Sequence, residues 1–167
     1  AWCWKGGGTA VSNSDGTITS SVSANTEAGF SIMTYTGNGS NGATIGHGLG
    51  AVPSVAIIKS RNLGPLGTAG AHWMVSHKGL TNGMNGGGSA RKIHLSLNQA
   101  EGTNSHGCVT AATSTTMTLT SGSGNDTDAH VNHTGGNYVC YCWTEIPGFS
   151  KFGSYKGNGN ANGPFVE

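Results

Sequence analysis

Asn-Gly occurs six times in this chain, at Asn38, Asn41, Asn82, Asn85, Asn158 and Asn162. The dipeptide favours tight turns in which the backbone takes positive φ, so each occurrence interrupts any long regular element. Between the interruptions, no window of about 12 residues repeats apolar positions at helical spacing. Strand patterns recur instead. RKIHLSL alternates Ile93, Leu95 and Leu97 with Lys92, His94 and Ser96, and TTMTLTS sets Met117 and Leu119 between threonines. NYVCYCWTE places Val139, Tyr141 and Trp143 on one strand face. PSVAIIKS is a short continuous apolar run of the kind that is buried on both faces. Together these patterns predict an all-β domain: an antiparallel β-sandwich or jelly-roll-like repeat domain with long Gly/Ser/Asn-rich loops. The loops are NLGPLGTAG, TNGMNGGGSA and SGSGNDTDAHVNHTGG.

Composition narrows the setting. The 167 residues include 30 Gly, only 9% are charged, and the formal net charge is +1. A typical globular domain carries about 25% charged residues. Ser, Thr, Asn and Gly must therefore supply the polar surface, which suits extracellular or virion proteins more than cytosolic enzymes. The 8 Lys and Arg are scattered, so nucleic acid is not an expected partner. No apolar run approaches about 18 residues, so no membrane insertion is expected. AWCWKGGG has neither a start Met nor the regions of a signal peptide, as in an excised or processed piece. Cys3, Cys108, Cys140 and Cys142 are read as buried free thiols, with a bridge from Cys3 to Cys142 or Cys108 as the alternative. Cys140 and Cys142 share a strand face and do not readily bond each other.

Two phrases are written twice. AWCWKGG aligns with CYCWTEI, placing Trp2 on Tyr141, Cys3 on Cys142 and Trp4 on Trp143. GFSIMTYTGNG, beginning at Gly29, aligns with GFSKFGSYKGNG, beginning at Gly148, whose one extra residue is what a β-bulge demands. The insert TAVSNSDGTITSSVSANTEA lies only in the first copy and contains its own strand candidate, GTITSSVS. The expected organisation is one β-sandwich repeat over 1–147, then the opening strands of a following, incomplete repeat over 148–167. On this reading Trp2, Trp4 and Trp143 are core residues, and GNGNANGPFVE pairs as an edge strand or docks on a neighbouring copy. An unpacked Phe165 would count against that.

The stretch GFSIMTYTGNGSNGATIGHGLGAVPSVAIIKSRN, with the closing YVCYCWTEIPGFSKFGSYKGNGNANGPFVE, resembles a repeated domain of unknown function in large virion proteins of marine tailed phages, tail-fibre-like proteins in particular. The resemblance covers both ends and the first sixty residues. It implies a virion structural component and carries no catalytic residues over.

Candidate chemistry is sparse. His47 in GHGLGAVP reads as structural: Gly46, Gly48 and Gly50 allow a tight turn, Leu49 packs inward, and the imidazole bonds nearby backbone. His130 and His133, with Asp126 and Asp128 close by, could hold a metal. A polar loop lacks the fixed geometry of a helical H-E-x-x-H, so a solvated loop is favoured and no metal is assigned. His72, Trp73 and His77 lie in AHWMVSHKG. Trp73 is a core residue or, if exposed, a platform for a sugar ring. Glu101 and Glu145 are the only candidates for a glycosidase pair. No G-x-S-x-G and no phosphate loop is present, and no cofactor is expected.

The sequence therefore predicts a non-catalytic structural or adhesive part of a phage virion, a tail fibre or surface appendage at an extracellular location. It would self-associate as a trimer or fibre and bind host-surface glycans, with His72, Trp73, His77, His130 and His133 as candidate ligand-binding residues. The alternatives are a capsid- or filament-assembly protein with no ligand, and a carbohydrate-active enzyme on a concanavalin-like sandwich.

Overall fold

The computed structural model describes residues 3–63, 72–103, 107–120 and 131–165. The strands are β1 (Val11–Asn13), β2 (Ser20–Asn25), β3 (Phe30–Thr36), β4 (Ala43–Gly46), β5 (Val55–Ser60), β6 (Met74–His77), β7 (Arg91–His94), β8 (Gly102–Thr103), β9 (Val109–Ala112), β10 (Thr116–Leu119) and β11 (Asn137–Trp143). They form an eight-stranded sheet, β1-β2-β3-β11-β5-β6-β7-β8, and a three-stranded sheet, β4-β10-β9. Among the described residues every pairing between these strands is antiparallel, and one isolated bridge, Ile18 to Ile45, is parallel. Among the described residues helix is limited to two short 3₁₀ turns in the TNGMNGGGSA stretch, Gly83–Asn85 and Gly87–Ser89.

The core lies between the sheets. Met33, Tyr35, Ile58, Met74, Tyr138, Cys140 and Cys142 from the large sheet join Ala43, Ile45, Val109, Met117 and Leu119 from the small one in one apolar cluster. Met117 and Leu119 point inward between half-buried threonines, as their alternation predicts. β5 lies between β11 and β6, and Val55 and Ala56 are buried on opposite faces, as a central strand requires. GTITSSVS supplies most of β2.

Two strands turn the opposite face inward from the one their pattern suggests. In β11 the buried set is Tyr138, Cys140 and Cys142, while Val139, Tyr141 and Trp143 are half-buried on the outer face. Cys140 pairs with Met33 and Tyr138 with Tyr35, so β11 shares the inner face of β3. In β7 the Lys92 side chain is inside at 2% exposure, Ile93 is half-buried, and Leu95 and Leu97 are exposed. The cause is register with β6. Val75 pairs with Ile93 and Met74 with His94, so Lys92 falls on the inner face with Met74 and Ser76.

Trp4 is not a core residue. It is 47% exposed and lies over the outer face at one end of the sheet, while Trp2 lies outside the described residues. All four cysteines are free, and Cys108, Cys140 and Cys142 are buried, but Cys3 is exposed. After the Ile146–Ser150 bridge, residues 151–165 carry no strand. Phe165 is 87% exposed, so the closing GNGNANGPF neither pairs as an edge strand nor packs on its own copy. Among the described residues no helix is long and apolar enough to cross a membrane.

Candidate functional site

His47 is part of the scaffold. Its ring is fully buried, Nδ1 accepts the Leu49 N–H at 3.2 Å, and Nε2 lies 3.2 Å from the Thr113 carbonyl. With Nδ1 accepting, the proton sits on Nε2 and is donated to Thr113. Its own carbonyl accepts the Ser31 hydroxyl at 2.7 Å. Gly48 and Gly50 take φ of 70° and 71°, the left-handed conformation the turn needs.

The histidines and tryptophan singled out from the sequence are not gathered in one place. His72 lies just before β6 and His77 is its last residue, roughly 16 Å apart at strand spacing. His72 meets His94 edge to face, ring centroids 5.1 Å apart, with Nδ1 3.2 Å from the Ser96 hydroxyl. Trp73 is exposed, and its carbonyl accepts the Leu95 N–H at 3.1 Å. His77 uses Nδ1 to accept the Gly79 N–H at 2.8 Å. His133 lies far along the chain, where its backbone N–H donates to the Tyr138 hydroxyl at 2.8 Å and its Nδ1 lies 2.8 Å from the Thr134 carbonyl. His130, Asp126 and Asp128 lie outside the described residues. Among the described residues no three His, Cys, Asp or Glu side chains group as metal ligands.

A different set of residues builds a concave surface. At the end of the sandwich where β5 begins and β6 and β11 finish, an open groove of about 500 Å³ runs between Val52–Ser54, Lys78, the first 3₁₀ turn and Glu145. Its apolar wall is Val52, Pro53, Leu80 and Met84. Its polar groups are Ser54, Lys78, Asn82, Asn85 and Glu145. The walls are fixed by backbone bonds. Ser54 N–H donates to the Trp143 carbonyl at 2.7 Å, and Lys78 N–H to the Ser54 carbonyl at 2.8 Å. Asn82 adopts φ 62°, and its amide donates to the Ser89 carbonyl at 2.9 Å. Asn85 accepts the Ala112 N–H at 2.8 Å. These two asparagines belong to the paired Asn-Gly turns of TNGMNGG, whose concentration in one short loop is the sequence signal for a shaped surface there. Lys78 carries no such signal, and the sequence marks Glu145 only as a candidate glycosidase carboxylate.

Glu145 forms an ion pair with Lys78 at 2.5 Å and accepts the Phe152 N–H at 2.8 Å. These bonds hold its carboxyl below the usual carboxylate range, the Lys78 bond first. Glu101 accepts both the hydroxyl and the N–H of Thr81, and these bonds likewise lower its pKa. A glycosidase acid needs a raised pKa so that it stays protonated, and neither carboxyl has one.

A second open cleft, of about 320 Å³, is lined by Ser12, Ser21, Thr34, Thr36, Arg61 and Asn137 among others. Beside the first groove, on the outer face, stands an aromatic cluster. Phe30 stacks on Trp143 with centroids 5.0 Å apart, and Trp4 approaches Trp143 at 5.5 Å and Phe30 at 6.1 Å. The Trp143 indole N–H is buried without a hydrogen-bond partner.

No curated protein and no solved structure matches the chain. The family comparison does: the chain matches the Domain of unknown function (DUF7483) over residues 1–167, and it belongs to that family.

Proposed function

We propose that this chain is a structural and adhesive component of a phage virion, a tail fibre or surface appendage, that binds host-surface glycans without bond chemistry. The groove between Pro53, Lys78, Asn82 and Glu145 is the observation that carries the binding part of this reading. Its amides, hydroxyl and ion pair can exchange hydrogen bonds with sugar hydroxyls, and Val52, Pro53 and Leu80 can cover the C–H face of a ring. The paired bonds of Asn82 and Asn85 keep those amides in place before any ligand arrives, which lowers the ordering cost of binding. A chain with only 9% charged residues depends little on the charge–charge attractions that salt screens beyond about 10 Å. The setting rests on the resemblance of the GFS and GHGLG phrases to virion repeats.

A glycan array tests the binding part. Sugar-specific binding that falls at least about tenfold in Lys78→Ala, a loss of about 1.4 kcal/mol, supports the groove. Retention in Lys78→Ala with loss in Trp73→Ala moves the site to the far end of β6. Absence of any glycan signal leaves the assembly reading, a capsid or filament protein with no ligand, which the exposed aromatics after Ile146 favour. Proteomics of purified particles tests the setting: a chain found only inside infected cells and never in particles overturns it.

A further inference from the structure

The outer face of the large sheet changes character along its length. At one end stand Phe30, Trp143 and Trp4. At the other, where β3 and β5 finish and β11 begins, lies the cleft of about 320 Å³. Two register rows build its polar floor. Ser12 stands opposite Ser21, and Ser21 opposite Thr34, on β1, β2 and β3. Thr36 stands opposite Asn137, and the Arg61 N–H donates to the Asn137 carbonyl at 2.7 Å. Ser21, Thr34, Thr36 and Asn137 alternate with Val22, Met33, Tyr35 and Tyr138, which face the core, so their side chains leave the sheet outward. Neighbouring strands are about 4.8 Å apart, so each row is about 10 Å wide.

This floor is rich in donors that the chain itself does not use. The Thr36 hydroxyl donates to the Asn137 side-chain oxygen at 3.0 Å, which leaves the Asn137 amide nitrogen to donate outward. Among the described residues the hydroxyls of Ser12, Ser21 and Thr34 make no hydrogen bond, and the exposed Arg61 guanidinium makes no ion pair. No described carboxylate lines the cleft. A guanidinium offers five N–H donors in a fixed fork that matches two oxygens of a carboxylate or a sulfate. The cleft has no stacking platform. Its two rings, Tyr35 and Tyr138, stack on each other at 5.1 Å, and the Tyr35 hydroxyl donates to the Val131 carbonyl at 2.6 Å. Charge and hydrogen bonds must therefore select the ligand.

We propose that this cleft is a second sugar site, specific for an acidic saccharide. Arg61 pairs with a ring carboxylate or a sulfate ester, and the Asn137 amide with the hydroxyls of Ser21, Thr34 and Thr36 bonds the ring hydroxyls. The volume lies near the lower end of the roughly 300 to 1,000 Å³ of small-molecule sites, which suits one or two rings. An exposed charge contact is weak alone, and a polymer that repeats its acidic group strengthens it when several copies of the chain are held together. The site is separate from the groove beside Lys78. Ser54 and Arg61 lie at opposite ends of β5, roughly 23 Å apart at strand spacing. The inference shares with the groove only that the chain meets sugars, and either can fail alone.

A backbone-amide NMR titration of the purified chain tests it. The probes are trigalacturonate and its methyl ester, and a sulfated galactose trisaccharide and its desulfated form. The expected result is saturable movement of the Thr36, Asn137 and Arg61 signals with at least one anionic probe. Which anionic probe moves them tells whether a carboxylate or a sulfate is recognised. Its neutral counterpart should bind roughly tenfold more weakly, and Arg61→Ala should weaken binding of the anionic probe by about the same factor. Thr34→Val keeps the branched shape, removes only the hydroxyl, and should weaken binding by a smaller factor. Lys156→Ala removes one exposed positive charge elsewhere and should leave binding unchanged. Movement confined to signals around Lys78 supports the groove and overturns the cleft. The proposal is also overturned if neither anionic probe moves the three signals, if the neutral form binds equally, or if Lys156→Ala weakens binding as much as Arg61→Ala. Unchanged circular dichroism of Arg61→Ala excludes misfolding as the cause.

Discussion

Trp4 and Trp143 stand at matching places in the doubled phrases AWCWKGG and CYCWTEI, and they meet edge to face with ring centroids 5.5 Å apart. Trp143 also stacks on Phe30, and its strand is paired on both sides, with β3 and β5. Trp4 is nearly half exposed and held from outside the ladder. Truncating the two should therefore cost very different amounts. Trp143→Ala is expected to lose about 3 kcal/mol and Trp4→Ala about 1 kcal/mol in urea unfolding. Equal losses would mean that the N-terminal segment is part of the cooperative core.

His47 sets a pH dependence. Burial lowers its pKa below 6.5, and the bond to Thr113 and the charge of Asp15 offset this only in part. A second proton would sit on Nδ1, facing the Leu49 N–H that now donates to it. The unfolded chain binds that proton near the ordinary value and the folded chain only at lower pH. The His47 contribution is thus fully present above about pH 6.5 and is lost as pH falls from there through the depressed folded value. His77, also lowered by burial first, acts in the same direction. The urea midpoint should fall between about pH 7.5 and pH 5, and His47→Gln should flatten that fall while lowering the midpoint at the higher pH. Glu101 and Glu145, whose pKa values are lowered from 4.5, act in a separate window: their small stabilising effect is lost as pH falls below that value.

What the sequence disclosed about this fold follows the range of the interactions involved. Asn-Gly turns and apolar alternation act over a few residues, so the all-β class was readable, and the GHGLG turn announced the buried role of His47. The choice of face in β7 and β11 was not readable, because Val75 and Met33 on neighbouring strands decide it through register. Alternation within RKIHLSL suggested the reverse and would have put Lys92 in water. The groove was hidden for the same reason. Ser54, Lys78, Asn85 and Glu145 come from three separate segments, and nothing local marks Lys78 as the partner of Glu145. His72, Trp73 and His77 looked like a cluster only because they are close along the chain, and an extended strand separates them.

Asn132 closes the first GNG phrase. Its fully buried amide donates to the Ser40 carbonyl at 2.8 Å and to the Asn38 side chain at 3.2 Å, while its side-chain oxygen accepts the Asn38 N–H at 3.0 Å. Asn132→Ala removes the partner of the Asn38 N–H, while the Ser40 carbonyl keeps the Ala43 N–H, and should cost about 1 to 2 kcal/mol. His133→Ala is the control. The bond from residue 133 to Tyr138 is made by backbone N–H and survives the change, so a loss under about 1 kcal/mol is expected. Comparable losses from both variants would show that the loop is held by the His133 ring instead.

The four thiols should report local opening in a definite order. Cys3 is exposed and reacts at once with a thiol reagent in the native protein. Cys140 and Cys142 face the core side by side, and burial pushes both thiols well above their ordinary range, with little thiolate to react. Burial raises the Cys108 thiol too, and the Lys92 charge and the Thr120 hydroxyl offset this only in part. It also precedes β9, at the margin of the small sheet, where opening exposes it without separating the two sheets. Native labelling followed by mass spectrometry should therefore modify Cys3 within the mixing time and Cys108 next. Cys140 and Cys142 should react together, at the rate of global unfolding. Labelling of Cys140 ahead of Cys108 would mean that β11 leaves the large sheet before the small sheet lifts away, and that the β3–β11 pair is not the last part of the fold to open.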